Sequence, residues 1–232
     1  ARLEVQDWPE PGAPVPVADP DPADVEAAAA LIAASHRPVL CLGGGAINCG
    51  AAALRLAEKA SLSVAMTLMG LGTVPSDHPL SLGLFGMHGA RCTNLTLDEC
   101  DLLIAVGIRF DDRATGAPVS FCPRARIVHI DIDPAEINKI KRADAAITGD
   151  ATAVLEAMLP LVPASPRSDW IQHVNDLRRR LPLALPGAGD PLSPYGLILR
   201  TSAIVGPDAI VTTDVGQHQM WEAQYYKHRR PR

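Results

Sequence analysis

At 232 residues the chain has room for one domain plus a piece, or for two small domains. Hydrophobic residues make up 47% and charged residues 20%, which excludes an intrinsically disordered chain and is enough to fill a core. The formal net charge of -5 argues against non-specific nucleic-acid binding, and no apolar run reaches the ~18 residues that a membrane span needs.

Aromatic residues are only 4%, while alanine, leucine and valine abound, a mix that suits a helix-covered parallel sheet better than a β sandwich. Five cysteines (Cys41, Cys49, Cys92, Cys100 and Cys122) without a CxxC pair argue against a disulfide scaffold or zinc site. They fit a reducing, cytoplasmic compartment. The start at Ala1 is not a signal peptide, and both ends read as cut from something longer.

Residues 1–24 hold six prolines and several acids and read as an extended linker. Asp24 then stands as the N-cap of a helix over VEAAAALIAAS. RPVLCLGGG is an apolar strand running into glycines, followed by the helix AAALRLAEKA and the strand SVAMT. The irregular segment LMGLGTVPSDHPLSLGLFGMHG leads to a helix near residues 90–99. DLLIAVGIR and ARIVHIDID are the next two strands; Asp133, Pro134 and Glu136 then suit a capped helix. AAIT is a short fifth strand, and Asp150 caps ATAVLEAMLPLV.

This alternation predicts an α/β fold, a doubly wound parallel sheet over residues 25–163. An interdomain linker with one helix, WIQHVNDLRRRL, fills 164–194. From 195 to 232 the helix YGLILRTSAIV, the strand AIVTTD and the polar VGQHQMW read as the opening βα unit of a second α/β domain.

Ligands of such sheets sit outside the carboxyl ends of the strands. Four segments qualify: Gly43–Gly44–Gly45, Thr67–Leu68–Met69, Arg109 to Arg113, and Asp131 to Asp133. The glycine triplet admits either a close phosphate or merely a tight turn, and Asn48 breaks the GxGxxG pattern. Arg109 and Arg113 in GIRFDDRATG admit either an anion clamp or a solvated salt-bridge cluster. The flanking arginines make Asp111 and Asp112 poor metal ligands. Asp131 resembles a ribose-binding acid, and Asp133 is more simply a cap.

RPVLCLGGGA, MTLMGLGTVPSDHPLSLGLFGMHG, GIRFDDRATG, ARIVHIDIDPAEI, GDAT and VTTDVGQHQMW, in this order, resemble the large catalytic subunit of the acetohydroxyacid synthase (acetolactate synthase) family. The resemblance covers essentially everything after the first linker and implies a thiamine-diphosphate enzyme of branched-chain amino-acid synthesis. Such an enzyme condenses pyruvate with pyruvate or 2-ketobutyrate, releasing carbon dioxide. It further implies a Rossmann-like central FAD domain and the start of a thiamine-diphosphate domain. The catalytic glutamate and the magnesium ligands would lie outside this chain.

Carried over by resemblance, FAD would follow Gly43, Gly44, Gly45, Thr67, Leu68, Met69, His88, Gly107, Arg109 and the segment from Asp131 to Asp150, with Gln219 and Met220 approaching the flavin. Val215, Gly216, Gln217 and His218 would touch thiamine diphosphate. Arg113, oriented by Asp112, would take the carboxylate of the second keto acid, with Met87 lining that pocket. The same resemblance implies a homodimer or larger assembly, and a regulatory small subunit is compatible with it. Glyoxylate carboligase and pyruvate oxidase share the domain plan, and a non-catalytic nucleotide-binding module is the reading from another class.

Overall fold

The computed structural model describes residues 17, 19–184, 186–187, 189–206 and 208–231; most of the expected N-terminal linker lies outside them. Helix α1 (Pro22–Ala34) begins one turn earlier than expected. Asp21, not Asp24, is its N-cap, accepting from Ala23 N–H at 2.9 Å, and Pro22 fills the first position, where a missing amide costs nothing. Asp24 instead places its charge in the first turn, against the positive end of the helix dipole.

Then come β1 (Pro38–Leu42), α2 (Gly50–Ala60), β2 (Ser63–Met66), β3 (Ser81–Leu84), α3 (Arg91–Glu99), β4 (Leu102–Val106), the one-turn α4 (Asp112–Thr115), β5 (Arg126–Asp131), β6 (Ala145–Thr148) and α5 (Ala151–Met158). The six strands form one parallel sheet in the order β3-β2-β1-β4-β5-β6. Chain progression reverses between β1 and β4, so the crevice of a doubly wound sheet opens beyond their carboxyl ends.

The central strands β1 and β4 are apolar and buried at every position because both faces are covered. Leu40, Leu42, Val64, Ile104, Val106 and Ile130 face one core with α1, α2 and α5. Val39, Cys41, Ala65, Leu103 and Ala105 face the other, closed by α3 and α6 (Ser168–Arg180) through Leu97, Trp170 and Val174. Ile104 is fully buried, and truncating it to alanine would cost about 3 kcal/mol. All five cysteines are free and buried, and burial pushes the Cys41 thiol well above its ordinary value.

Three expectations are corrected. Strand β3 was hidden in the segment read as irregular. It pairs with β2 across a register shift at Val64 and Ala65, and Gly83 adopts φ +70°, so neither length nor pattern marks it. No helix follows Asp133. Its side chain accepts from Ala135 N–H at 2.9 Å, but Asn138 turns left-handed at φ +60° and the segment stays in turns. Residues 209–214 form no strand among the described residues, and Gln217–Gln219 open helix α8 (Gln217–Tyr225) rather than a loop.

The C-terminal segment nevertheless packs onto the sheet domain. Helix α7 (Pro194–Val205) contacts α8 through Tyr195, whose ring meets those of Trp221 and Tyr225 at 5.6 and 4.8 Å. Gln224 Nε2 donates to the His88 carbonyl at 2.7 Å, and Ser76 N–H donates to the His228 carbonyl at 2.8 Å. Between α5 and α6, Arg167 donates to the carbonyls of Ile32, Ser35 and Ala60, joining the C-terminal ends of α1 and α2. No helix among the described residues is long and apolar enough to cross a membrane.

Candidate functional site

At the crevice the loops after β1 and β4 meet along a seam of glycines. Gly43 N–H donates to Val106 O at 2.9 Å, Gly45 N–H to Gly107 O at 3.2 Å, and Gly107 N–H to Ile130 O at 2.8 Å. A Cβ on Gly43 would sit 2.1 Å from Gly107 O, and Gly107 itself has φ +60°. Gly43 and Gly45 are therefore glycines because two backbones touch there. Gly44, between them, is the member of the triplet outside that seam.

Beyond Gly107 burial alternates over Ile108-Arg109-Phe110-Asp111, and Asp112 and Arg113 then stay exposed. Phe110 takes a left-handed φ of +54°, a conformation costing about 1–2 kcal/mol, which burial of its ring offsets. The ring lies edge-on to His129 at 5.0 Å and to Phe121 at 6.4 Å. His129, fully buried on β5, also hydrogen-bonds the Ile108 carbonyl through Nε2 at 2.9 Å. Burial holds its pKa below the ordinary histidine value, so the ring is neutral and Nε2–H is the donor. With Ile108 and Phe110 anchored inward, Arg109 and Asp111 are driven outward.

Asp111 then caps α4, its Oδ1 accepting from Arg113 N–H and Ala114 N–H, each at 3.1 Å. Asp112 and Arg113 make no ion pair among the described residues. Asp111 thus fixes the main chain from which the Arg113 side chain leaves. Neither Arg109 nor Arg113 has a carboxylate within 4.0 Å among the described residues.

Both arginines line a cleft of about 420 Å³. Thr67, Leu68 and Met69 form one wall, Leu84, Phe85 and His88 a second, the loop from Arg109 to Ala114 a third, and Gln219 and Met220 the fourth. A second cleft of about 430 Å³ shares Thr67, Met69, Arg109 and Asp111 with it and continues past Gly43, Gly44, Gly45 and Gly107 to Asp131, Asp133 and Glu136. Together they make a trough along the carboxyl edge of the sheet.

Met87 lies on the far side of Ala114, lining a separate groove with Thr115 and Phe121, and is 63% exposed. Asp150 lines neither cleft; it caps α5 through Ala153 N–H at 3.0 Å. Val215, 84% exposed, and Gly216, Gln217 and His218 stand at the start of α8 outside the trough.

Leu84 and Phe85 were not anticipated, and Glu136, inside the segment that the resemblance gives to FAD, was not singled out for it. The first two come with the hidden strand; its one signal is SLGL running into FGMHG, an apolar stretch before glycines, as in RPVLCLGGG. Glu136 read as a helix-capping residue. In the fold its Oε1 pairs with Lys139 at 2.8 Å, while Oε2 is buried without a partner. An orphaned carboxylate oxygen beside Asp131 suits hydroxyl donors, two arginines suit an anionic group, and the apolar part of the first cleft, from Leu68, Met69, Leu84, Phe85 and Met220, suits a planar ring. The trough therefore offers matching groups to an extended anionic ligand that carries hydroxyls and a planar ring. Among the described residues no three His, Cys, Asp or Glu side chains cluster to hold a metal ion.

Residues 25–158 match the family model described as thiamine pyrophosphate enzyme, central domain. The chain is 58% identical over 205 residues to acetolactate synthase isozyme 1 large subunit of Escherichia coli, covering 88% of this chain and 36% of that protein. It is 47% identical over 229 residues to the acetolactate synthase large subunit of Parasynechococcus marenigrum (94% and 37%) and 42% identical over 208 residues to the chloroplastic acetolactate synthase 1 of Zea mays (87% and 33%). The chain thus spans about a third of the length of these relatives. A doubly wound sheet, a trough at its switch point and a family match across more than half of its length lead to one conclusion: the chain belongs to the thiamine pyrophosphate enzyme family and carries its central domain.

Proposed function

We propose that the chain is the central portion of an acetolactate synthase large subunit, a cytoplasmic enzyme that joins pyruvate to a second 2-keto acid with loss of carbon dioxide. The observation that carries the reading is the pairing of Arg109 and Arg113 in one cleft, both without carboxylate partners among the described residues. Support also comes from relatives of that name in bacteria and plants. In this reading residues 25–163 are an FAD domain, 164–194 a linker, and 195–232 the opening of a thiamine-diphosphate domain. The whole enzyme works as a homodimer or larger, compatible with a regulatory small subunit.

Arg109 binds the anionic bridge of FAD, and Asp131 and Glu136 accept hydrogen bonds from its ribose at the far end of the trough. Gly44 admits it closely, while Thr67, Leu68, Met69 and His88 form walls around it. Gln219 and Met220 cover the ring end from α8. Val215 to His218 form one wall for thiamine diphosphate, which when bound supplies the electron sink for decarboxylation. Magnesium ligands lie outside the chain.

Arg113 grips the carboxylate of the acceptor keto acid through a forked, charge-assisted pair of hydrogen bonds. Holding the acceptor carbonyl at attack distance converts an encounter into a positioned step, a gain that can reach several orders of magnitude. In the full-length enzyme, acetolactate formation from pyruvate and flavin retention are the assays. Arg113→Ala should raise the acceptor KM about 30-fold with flavin retained, and Arg109→Ala should weaken flavin binding first. Equal losses in both assays for Arg113→Ala would reduce that arginine to a structural role.

A further inference from the structure

Asn94, on the first turn of α3, lines the neighbouring groove rather than the cleft that holds the two arginines. Its side chain nevertheless binds both polar groups of Gly86, a residue of that groove that stands in the turn between the cleft-lining Phe85 and His88. Oδ1 accepts from Gly86 N–H at 2.9 Å, and Nδ2 donates to Gly86 O at 2.8 Å. A side-chain amide has one donor edge and one acceptor, so this two-point clamp uses the complementarity of amide and backbone fully.

Gly86 needs such a clamp. Its φ of +95° is open to glycine, which has many alternatives, and a Cβ there would lie 2.5 Å from Arg113 O. The turn is therefore pressed against the main chain of Arg113. From the next residue, Met87 N–H donates to Arg113 O at 2.9 Å, while Asp111 holds Arg113 N–H at 3.1 Å. The peptide frame of Arg113 is thus gripped on both sides, by an Asp cap and by a turn whose shape depends on Asn94. Gly89 N–H closes that turn on Gly86 O at 2.9 Å, and His88, between them, takes the bond from Gln224 of α8.

We propose that Asn94 is a positioning residue for the cleft: by clamping Gly86 it sets where Arg113 and His88 stand relative to one another without touching the ligand. The substrate side of this statement rests on the carboligase reading above; the mechanical side does not. Two readouts separate them. In full-length enzyme, Asn94→Ala should speed hydrogen–deuterium exchange in residues 86–90 and in 113–116, with strand β1 unaffected. It should also raise the acceptor KM about tenfold while kcat stays within about twofold, because the grip on the substrate is loosened and not the chemistry.

Asn94→Asp keeps the acceptor for Gly86 N–H and loses the donor, so it should recover part of both effects. Thr93→Val is the control. It removes a different buried bond of the same helix, Thr93 Oγ1 to Leu82 O at 2.8 Å, and should lower Tm with the KM unchanged. Unchanged exchange at 113–116 in both Asn94 variants would overturn the clamp whatever the activity. An enzyme that makes no acetolactate from pyruvate would overturn the carboligase reading and the substrate clause with it, leaving the exchange result to decide the mechanical one. An equal KM rise in Thr93→Val would show general loosening of α3 and also overturn the proposal.

Discussion

Arg167 and Arg113 sit in the same domain and do opposite things. Arg167, in the connection before α6, spends its guanidinium on the carbonyls of Ile32, Ser35 and Ala60, and burial pulls its pKa below the ordinary arginine value. Arg113, like Arg109, opens into the cleft with no carboxylate partner among the described residues. One cation satisfies helix ends that would otherwise be orphaned; the other remains available. Sequence neighbourhood does not separate them, since both follow polar connectors. What separates them is whether the surrounding backbone offers acceptors.

Substitutions can break or sharpen that contrast. The largest effect is expected at the seam beneath the available pair. Gly107→Ala must fit a Cβ 2.5 Å from the Gly45 backbone at φ +60°, which should cost about 4 kcal/mol and be read as a fall in Tm with loss of flavin. Arg167→Ala should cost about 2 kcal/mol of stability, read by denaturant titration, with substrate KM unchanged. Arg113→Ala should do the reverse, moving KM about 30-fold with stability held within about 0.5 kcal/mol. A stability loss at Arg113 equal to that at Arg167 would erase the distinction.

The smallest effect concerns the floor of the arginine loop. His129 has a folded pKa below its unfolded value of about 6.5, because burial disfavours the imidazolium. Below that pH the unfolded state binds more protons, so this contribution is complete above about pH 6.5 and is lost as the pH falls. Denaturant titrations of His129→Gln should show a shallower decline between about pH 6.5 and 5 than the wild type. An identical slope would mean that His129 is not the titrating group.

Much of the fold was legible where burial and period agree. VLCL, VAM and LLIAV are apolar at every position, as strands covered on both faces must be, and each forms a central strand. Asp150 was legible as a cap because its side-chain bond is local. Strand β3 was not, since an edge strand of four residues with a left-handed glycine carries too little pattern. The helix after Asp133 was over-read because a capping signature describes only the first turn, and Asn138 ends what it starts. Glu136 read as part of that cap for the same reason, and its place in the lining of the trough comes only with the folded chain.

By its own composition and order of residues, the sequence determined a two-sided parallel sheet, the family resemblance and the charged loop behind β4. These depend on side-chain type and on spacing within a few residues. Tertiary structure alone decided that Gly43 and Gly45 serve a backbone seam, that Asp111 holds the main chain of Arg113, and that Asn94 reaches Gly86. Each is a contact whose partner is chosen by the crossing of chain segments, and hydrogen-bond geometry and steric fit act only once those segments have met.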